Sequence, residues 1–287
     1  MSASPSPLHR SVSPSPLAMS VIVTRLRAAG CVFAEDEADL LVSTARTPAD
    51  LAAMVDRRAA GLPLEHVLGW AEFCGLRIAV DAGVFVPRRR TEFLVREAAA
   101  LAGPRAVVVD LCCGSGALGA ALVASRRDQV ELHAADIDPA AVRCARRNVA
   151  AAGGQVYEGD LYEPLPAALR GRVDVLLANV PYVPTEEIGL LPPEARIHEA
   201  RVALDGGADG LDVLRRVTAA APLWLAPGGH LLVETSERQV SRTVETFAGD
   251  GLIPRVAVSD ELNATVVIGT RPAPGDTGLA GLSREVG

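Results

Sequence analysis

The sequence predicts a small helical domain followed by a Rossmann-like, doubly wound α/β sheet, and three observations carry that fold. Residues 20–62 repeat apolar positions at helical spacing. From Thr91 onward, apolar runs of strand length alternate with stretches of helical periodicity, the pattern of a parallel sheet covered on both faces. The turn after the first such strand is glycine-rich, and an acidic residue ends the second.

The bulk numbers permit this architecture and remove several others. A chain of 287 residues with 49% hydrophobic and 22% charged side chains can bury one large core and a smaller one. A net charge of −7 argues against a surface built for nucleic acid by general basicity. All 28 basic residues are Arg, so Schiff-base chemistry and a P-loop lysine are excluded. The five cysteines, at 31, 74, 112, 113 and 144, form no CxxC pair and no zinc spacing, which predicts buried thiols in a reducing cytoplasm and no metal. No stretch is long and apolar enough to span a membrane.

Residues 1–18 carry a doubled Ser-Pro-Ser-Pro-Leu and read as a disordered tail, with Met19 an alternative start. The helical domain is expected over 19–73. Ile22, Leu26 and Ala29 form its first stripe, Ala38, Leu41 and Ala45 the second. Thr47-Pro48 caps a third helix lined by Leu51, Val55 and Ala59 and ended by Gly61. Residues 74–90 read as a β-hairpin linker, with strands at 76–80 and 84–86. The α/β domain is expected over 91–271: a helix at 91–102, strand 106–111, helix 116–125, strand 130–136, and a helix capped by Asp138-Pro139. Strands at 155–159, 173–178 and 230–235 follow; Ser236-x-x-Gln239 reads as a capping box for the last helix, and strands at 254–259 and 264–270 close the domain. A flexible tail is expected over 272–287.

The first turn reads Asp110-Leu-Cys-Cys-Gly114-Ser-Gly116-Ala-Leu-Gly119. Its glycines suit a tight turn and a helix N-terminus aimed at a ligand, and Asp136 stands where a carboxylate can grip a ribose. The glycine spacing alone also fits a dinucleotide site. Asp110, at the strand end, would repel a pyrophosphate and attract an ammonium. A ligand with a ribose, an ammonium and no phosphate is S-adenosylmethionine.

Asn179-Val180-Pro181-Tyr182 follows the strand Val173–Ala178, at the edge where open α/β sheets bind ligands. Alone, such a string reads as a turn. Beside a cofactor loop it suits capture of an –NH2 group: the Asn179 side-chain carbonyl and the Val180 main-chain carbonyl can accept both hydrogens, with the Tyr182 ring packed on the group's flat face. Asn179, Pro181 and Tyr182 are the candidate catalytic residues, and Val180 completes the substrate clamp.

The ordered set of Asp110 with its glycine loop, Asp136 and Asn179-x-Pro-Tyr182 resembles class I methyltransferases acting on planar nitrogens. Leu64-Glu-His-Val-Leu-Gly69, Val86-Pro-Arg-Arg-Arg-Thr-Glu92, Gly159-Asp-Leu161, His198-Glu-Ala-Arg-Val-Ala-Leu204 and Gly228-Gly-His-Leu-Leu-Val-Glu234 make it similar to the HemK/PrmC protein-glutamine N5-methyltransferases over residues 20–271. The resemblance implies a seven-stranded sheet and S-adenosylmethionine as cofactor. It places Asp110, Cys112, Cys113, Gly114, Ser115, Gly116, Asp136, Leu161 and Asn179 around that cofactor. It implies a protein substrate, the glutamine of a Gly-Gly-Gln loop in a peptide chain release factor, taken by a monomer that needs neither membrane nor nucleic acid. Three departures mark a divergent paralogue: Val180 stands for a second Pro, Cys112 for a Gly, and Arg89-Arg90 for a Pro and an acid. Adenine-N6 methylation, a small-molecule N-methyltransferase and a non-catalytic cofactor-binding adaptor are the rival readings.

Overall fold

The structure, a computed structural model, describes residues 16–126 and 129–273. Four helices open it: α1 (Pro16–Ala28), α2 (Ala34–Thr44), α3 (Pro48–Ala59) and α4 (Leu64–Leu68). Leu26, Ala38, Leu41, Ala45, Leu51 and Val55 of the expected stripes meet in one buried cluster with Ile22 packed against it, but Ala29 is exposed and Ala59 lies outside the cluster, which Met54 joins instead. Thr47 caps α3 as expected, accepting a hydrogen bond from Asp50 N at 3.1 Å, with Pro48 at the first helical position. The expected tail at 1–18 falls outside the described residues up to 15, and residues 16–18 already belong to α1. The expected tail at 272–287 lies outside them from 274 on.

The hairpin sits earlier in the chain than its sequence suggested. Strands β1 (Trp70–Phe73) and β2 (Leu76–Ala79) pair antiparallel, with Trp70 opposite Ala79. Cys74 (φ 50°) and Gly75 (φ 73°) form the turn, and two positive φ values match the twist of a two-residue hairpin. A Cys-Gly turn carries a weaker signal than Asn-Gly, while Asp81-Ala-Gly83 looked like the turn and instead precedes an irregular run. Phe73 and Ile78 pack into the core of the α/β domain, so the hairpin is part of that domain's wall.

The main sheet has seven strands in the order β5-β4-β3-β6-β7-β9-β8. They are β3 (Val107–Leu111), β4 (Glu131–Asp136), β5 (Gln155–Glu158), β6 (Val173–Ala178), β7 (Leu225–Thr235), β8 (Ile253–Ser259) and β9 (Ala264–Thr270). The first five run parallel; β9 is antiparallel to both β7 and β8. Helices α5 (Glu92–Leu101), α6 (Ala117–Ala124) and α7 (Pro139–Ala151) cover one face, and α9 (Asp212–Trp224) and α10 (Val240–Gly249) the other, after a short α8 (Pro193–His198). Strand parity divides the core between the faces: Val108 joins the α5–α7 cluster, while Val107, Val109 and Leu111 join that of α9 and α10. Burying each such Leu contributes about 1.5–3 kcal/mol. Helix α9, between β6 and β7, was not anticipated. No helix among the described residues is long and apolar enough to cross a membrane.

The expected capping box at Ser236 does not form. Ser236 Oγ donates to Gln239 Oε1 at 2.7 Å rather than capping a backbone N–H, and the Gln239 amide turns toward the site loops instead.

Candidate active site

Residues at the carboxyl ends of β3, β4 and β6 converge on a cavity of about 640 Å3. The loop after β3 makes its floor. Cys112 (φ 53°), Gly114 (φ 54°) and Gly116 (φ 76°) all take left-handed conformations, which fold the chain back before α6 starts at Ala117. A side chain on Gly116 would meet Val149 Cγ2 at 2.8 Å, so glycine is what lets the loop lie against α7. Cys113 N donates to Ala135 O at 3.1 Å, tying the loop to the next strand. Burial pushes the Cys112 and Cys113 thiols well up, with neighbouring carboxylates adding to it, so both remain protonated.

Asp136 ends β4 at the cavity wall. Its Oδ2 accepts from Gly114 N at 2.8 Å and its Oδ1 from Asp138 N at 2.9 Å. The carboxylate thus orients the loop while keeping acceptor capacity toward the cavity. Leu161 also lines the cavity, with φ 49° bringing its backbone close. Cys112, Cys113, Gly114, Ser115, Asp136, Leu161, Asn179, Val180, Pro181 and Tyr182 therefore share one cavity.

Two expected cofactor residues stand elsewhere. Asp110 is 1% exposed and is not among the lining residues. Its side chain follows Val108 to the α6 face, where Oδ2 accepts from Gly119 N at 3.0 Å and braces the loop from behind, while Oδ1 is buried with no hydrogen-bond partner. Gly116 likewise shapes the loop without lining the cavity.

The segment after β6 forms the opposite wall. Asn179 lines the cavity, and its Oδ1 is buried with no hydrogen-bond partner. Val180 is 2% exposed, packed among apolar neighbours on the α9 face. Downstream, Val183 N donates to Leu204 O and Gly206 N to Val183 O, while Gln239 Nε2 donates to Tyr182 O at 3.0 Å and Asp209 O at 3.1 Å. A side chain on Gly206 would meet Pro181 O at 2.7 Å, so the two loops lie backbone to backbone.

Sequence reasoning missed the group behind Tyr182. Arg90 Nε donates to Glu234 Oε1 at 2.9 Å, its guanidinium also reaches the Tyr182 hydroxyl, and Glu234 is 4% exposed. Glu234, at the end of β7, stands behind Tyr182. Burial, then the Glu234 charge, raise the Tyr182 hydroxyl, so it stays a phenol and is no general base. Arg88 makes a second such pair, reaching both oxygens of buried Glu199 at 2.6 and 2.7 Å. Asp160 and Arg216, paired at 2.5 Å, also line the cavity.

A doubly wound sheet of this order, with a glycine loop after its first strand, an acid ending the second and Asn-x-Pro-Tyr after the fourth, defines a class I methyltransferase that uses S-adenosylmethionine. Residues 75–208 match the family model described as Methyltransferase small domain. A methyltransferase structure from Pyrococcus furiosus superposes with a TM-score of 0.51 at 16% identity, covering 77% of this chain and 98% of that one, a likeness of fold. The chain is 39% identical over 229 residues to the release factor glutamine methyltransferase of Geobacter sulfurreducens, covering 78% of this chain and 79% of that protein. It is 42% identical over 211 residues to the enzyme of the same name from Mycolicibacterium smegmatis, with 73% and 74% covered. This protein belongs to the release factor glutamine methyltransferase family.

The residues present fit the cofactor. Asp136 offers carboxylate acceptors for a ribose, and the loop glycines clear a close backbone approach.

Proposed function

We propose that this enzyme methylates the side-chain amide nitrogen of a glutamine in a peptide chain release factor, with Asn179 and the Val180 carbonyl as the amide clamp. The single observation that carries the reading is Asn179 Oδ1, a buried acceptor with no partner inside the cavity. Such an atom costs about 1–3 kcal/mol unless a ligand supplies its donor. An amide supplies two N–H donors; an ester or carboxylate supplies none. The relatives' shared name directs the choice among amides to a release factor.

Bound between Asp136 and the glycine loop, S-adenosylmethionine supplies an electrophilic methyl group on a sulfonium. The chain's own residues do the rest by position. Asn179 Oδ1 and the Val180 carbonyl hold the two amide hydrogens, fixing the nitrogen in line and favouring a pyramidal geometry in which its lone pair is less delocalised. The Tyr182 ring covers the amide's face, and Pro181 stiffens the turn between them. Catalysis by such a clamp is orientation and electrostatics. With Tyr182 held as a phenol and both loop thiols protonated, the proton lost from nitrogen leaves to water. The helical domain of residues 19–73 serves in this reading as the platform that recognises the substrate protein, and the enzyme works in the cytoplasm as a monomer.

Val180 in place of the usual Pro is compatible with this role because the accepting group is a main-chain carbonyl. Its 2% exposure supports this, because a side chain packed in place also restrains the turn.

The test is methyl transfer from labelled S-adenosylmethionine to a release factor, with the modified residue mapped by mass spectrometry. Label on the glutamine side chain, absent with Asn179→Ala, is the expected result. Label on another residue type, or in nucleic acid, would overturn the assignment.

A further inference from the structure

Behind Tyr182 lies a second cavity, of about 940 Å3, that the methyl-transfer site does not use. Arg90 and Tyr182 line both cavities, so they form the wall between them. On the far side, six carboxylates face the space (Glu186, Glu187, Asp209, Glu234, Glu237 and Asp260) against three guanidiniums, Arg90, Arg238 and Arg242. Two of the three are already engaged: Arg90 with Glu234 at 2.9 Å and Arg242 with Asp209 at 3.7 Å. Glu186, Glu187, Glu237 and Asp260 are exposed and make no ion pair among the described residues.

An acidic surface alone would be a solvated face. What distinguishes this one is Glu234 Oε2, a carboxylate oxygen buried at the cavity wall with no hydrogen-bond partner. Its sister atom holds Arg90, so this oxygen keeps acceptor capacity for a donor on a segment that enters the cavity.

We infer that the second cavity is a docking groove for the main chain flanking the methylated glutamine, and that it selects a cationic segment. This rests on the reading that a glutamine side chain reaches Asn179. A peptide lying in the groove runs along the boundary that the two cavities share at Arg90, Tyr182, Val183 and Leu191, which places a glutamine side chain from it next to the clamp. A main-chain N–H or a basic side chain supplies the donor that Glu234 Oε2 lacks, while lysines or arginines elsewhere along the segment meet Glu186, Glu187 and Asp260. The Arg88-Arg89-Arg90 run does not repel such a segment as its charge alone would suggest, because Arg88 and Arg90 are each matched by a buried carboxylate.

The experiment compares three glutamine peptides of one length, flanked by lysines, by neutral residues or by glutamates, with the full-length enzyme. The lysine-flanked peptide should show a KM at least tenfold below that of the glutamate-flanked one, with the gap closing as salt rises. The triple variant Glu186→Lys, Glu187→Lys, Asp260→Lys should erase or invert the order while S-adenosylmethionine affinity, read by calorimetry, stays the same. Methylation with KM indifferent to flanking charge, or a triple variant that keeps the wild-type order, overturns the groove and leaves the glutamine assignment standing. If neither a peptide nor an intact release factor is methylated, the glutamine assignment falls and the groove with it.

Discussion

Gln239 Nε2 donates to the main-chain carbonyl of Tyr182 at 3.0 Å, joining the start of α10 to the Asn179–Tyr182 turn 57 residues earlier. Ser236 Oγ donates to the same side chain's Oε1 at 2.7 Å, which fixes the amide so that its NH2 faces Tyr182 O and Asp209 O. The turn is therefore held from outside by a side chain 8% exposed. Gln239→Ala removes both bonds at a cost of about 1–3 kcal/mol. Because Tyr182 would shift while Asp136 and the glycine loop would not, kcat should fall roughly ten- to a hundredfold, the scale of a misplacement near 1 Å. Cofactor affinity should hold. Steady-state kinetics beside calorimetry checks this; a loss confined to cofactor binding would refute a positioning role.

Asn179→Ala separates function from stability. Its Oδ1 makes no hydrogen bond in the protein, so its removal strands no partner. Without ligand the variant should be no less stable than wild type, gaining up to about 1–3 kcal/mol, the cost of the orphaned acceptor, whereas turnover on a glutamine peptide should drop by at least 10²–10³, roughly the loss for one key polar contact to a reacting group. Thermal melts and a methylation assay read the two effects independently. A variant that is strongly destabilised would mean Asn179 is a structural residue.

The reach of the sequence follows the range of the interactions. Asp136, the glycine loop and the Asn179–Tyr182 turn announce themselves because each is short and its chemistry is local, and the structure gathers them along one cavity. Asp110 was read by its neighbours in sequence, which place it at the loop, but strand parity turned it to the α6 face under Gly119. Ser236-x-x-Gln239 signals a local cap for the same reason, and a partner 57 residues away overrides that signal. Arg90 and Glu234 stand 144 residues apart, so nothing in either segment could announce their pairing. Cys112 could have been noticed as a departure only; its φ of 53° explains why a glycine is the ordinary occupant there.

Asp110 gives the fold a pH dependence. Burial, opposed by the Gly119 N–H and reinforced by the Asp136 charge, pushes its carboxyl up to about 7. An unfolded aspartate titrates near 3.9. Between those values the folded protein holds a proton that the unfolded chain has lost, so stability falls as pH rises through that window and levels off above it. The effect is on the order of 4 kcal/mol at most. Asp110→Asn keeps an acceptor for Gly119 N–H and does not titrate. Without cofactor, the variant should therefore gain stability relative to wild type on going from pH 5 to pH 8. Denaturant titrations at both pH values decide it, and parallel pH profiles would refute the assignment.

Arg58 ties the helical domain to the roof of the cofactor cavity. It reaches both Glu37 oxygens at 2.6 and 3.1 Å, and Glu194 of α8 at 2.6 Å, with its side chain only 9% exposed. Glu194 and Ala195 line the cofactor cavity, so α8 is held over it by an interdomain ion pair. Arg58→Ala leaves Glu37 buried without its partner and should cost about 3–5 kcal/mol. The double variant Glu37→Leu, Arg58→Met replaces the buried pair by apolar groups and should recover most of that stability. It does not restore the tether to Glu194. If the tether positions α8, the stable double variant should still bind S-adenosylmethionine several-fold more weakly than wild type. Recovery of affinity together with stability would show instead that Arg58 serves the helical core alone.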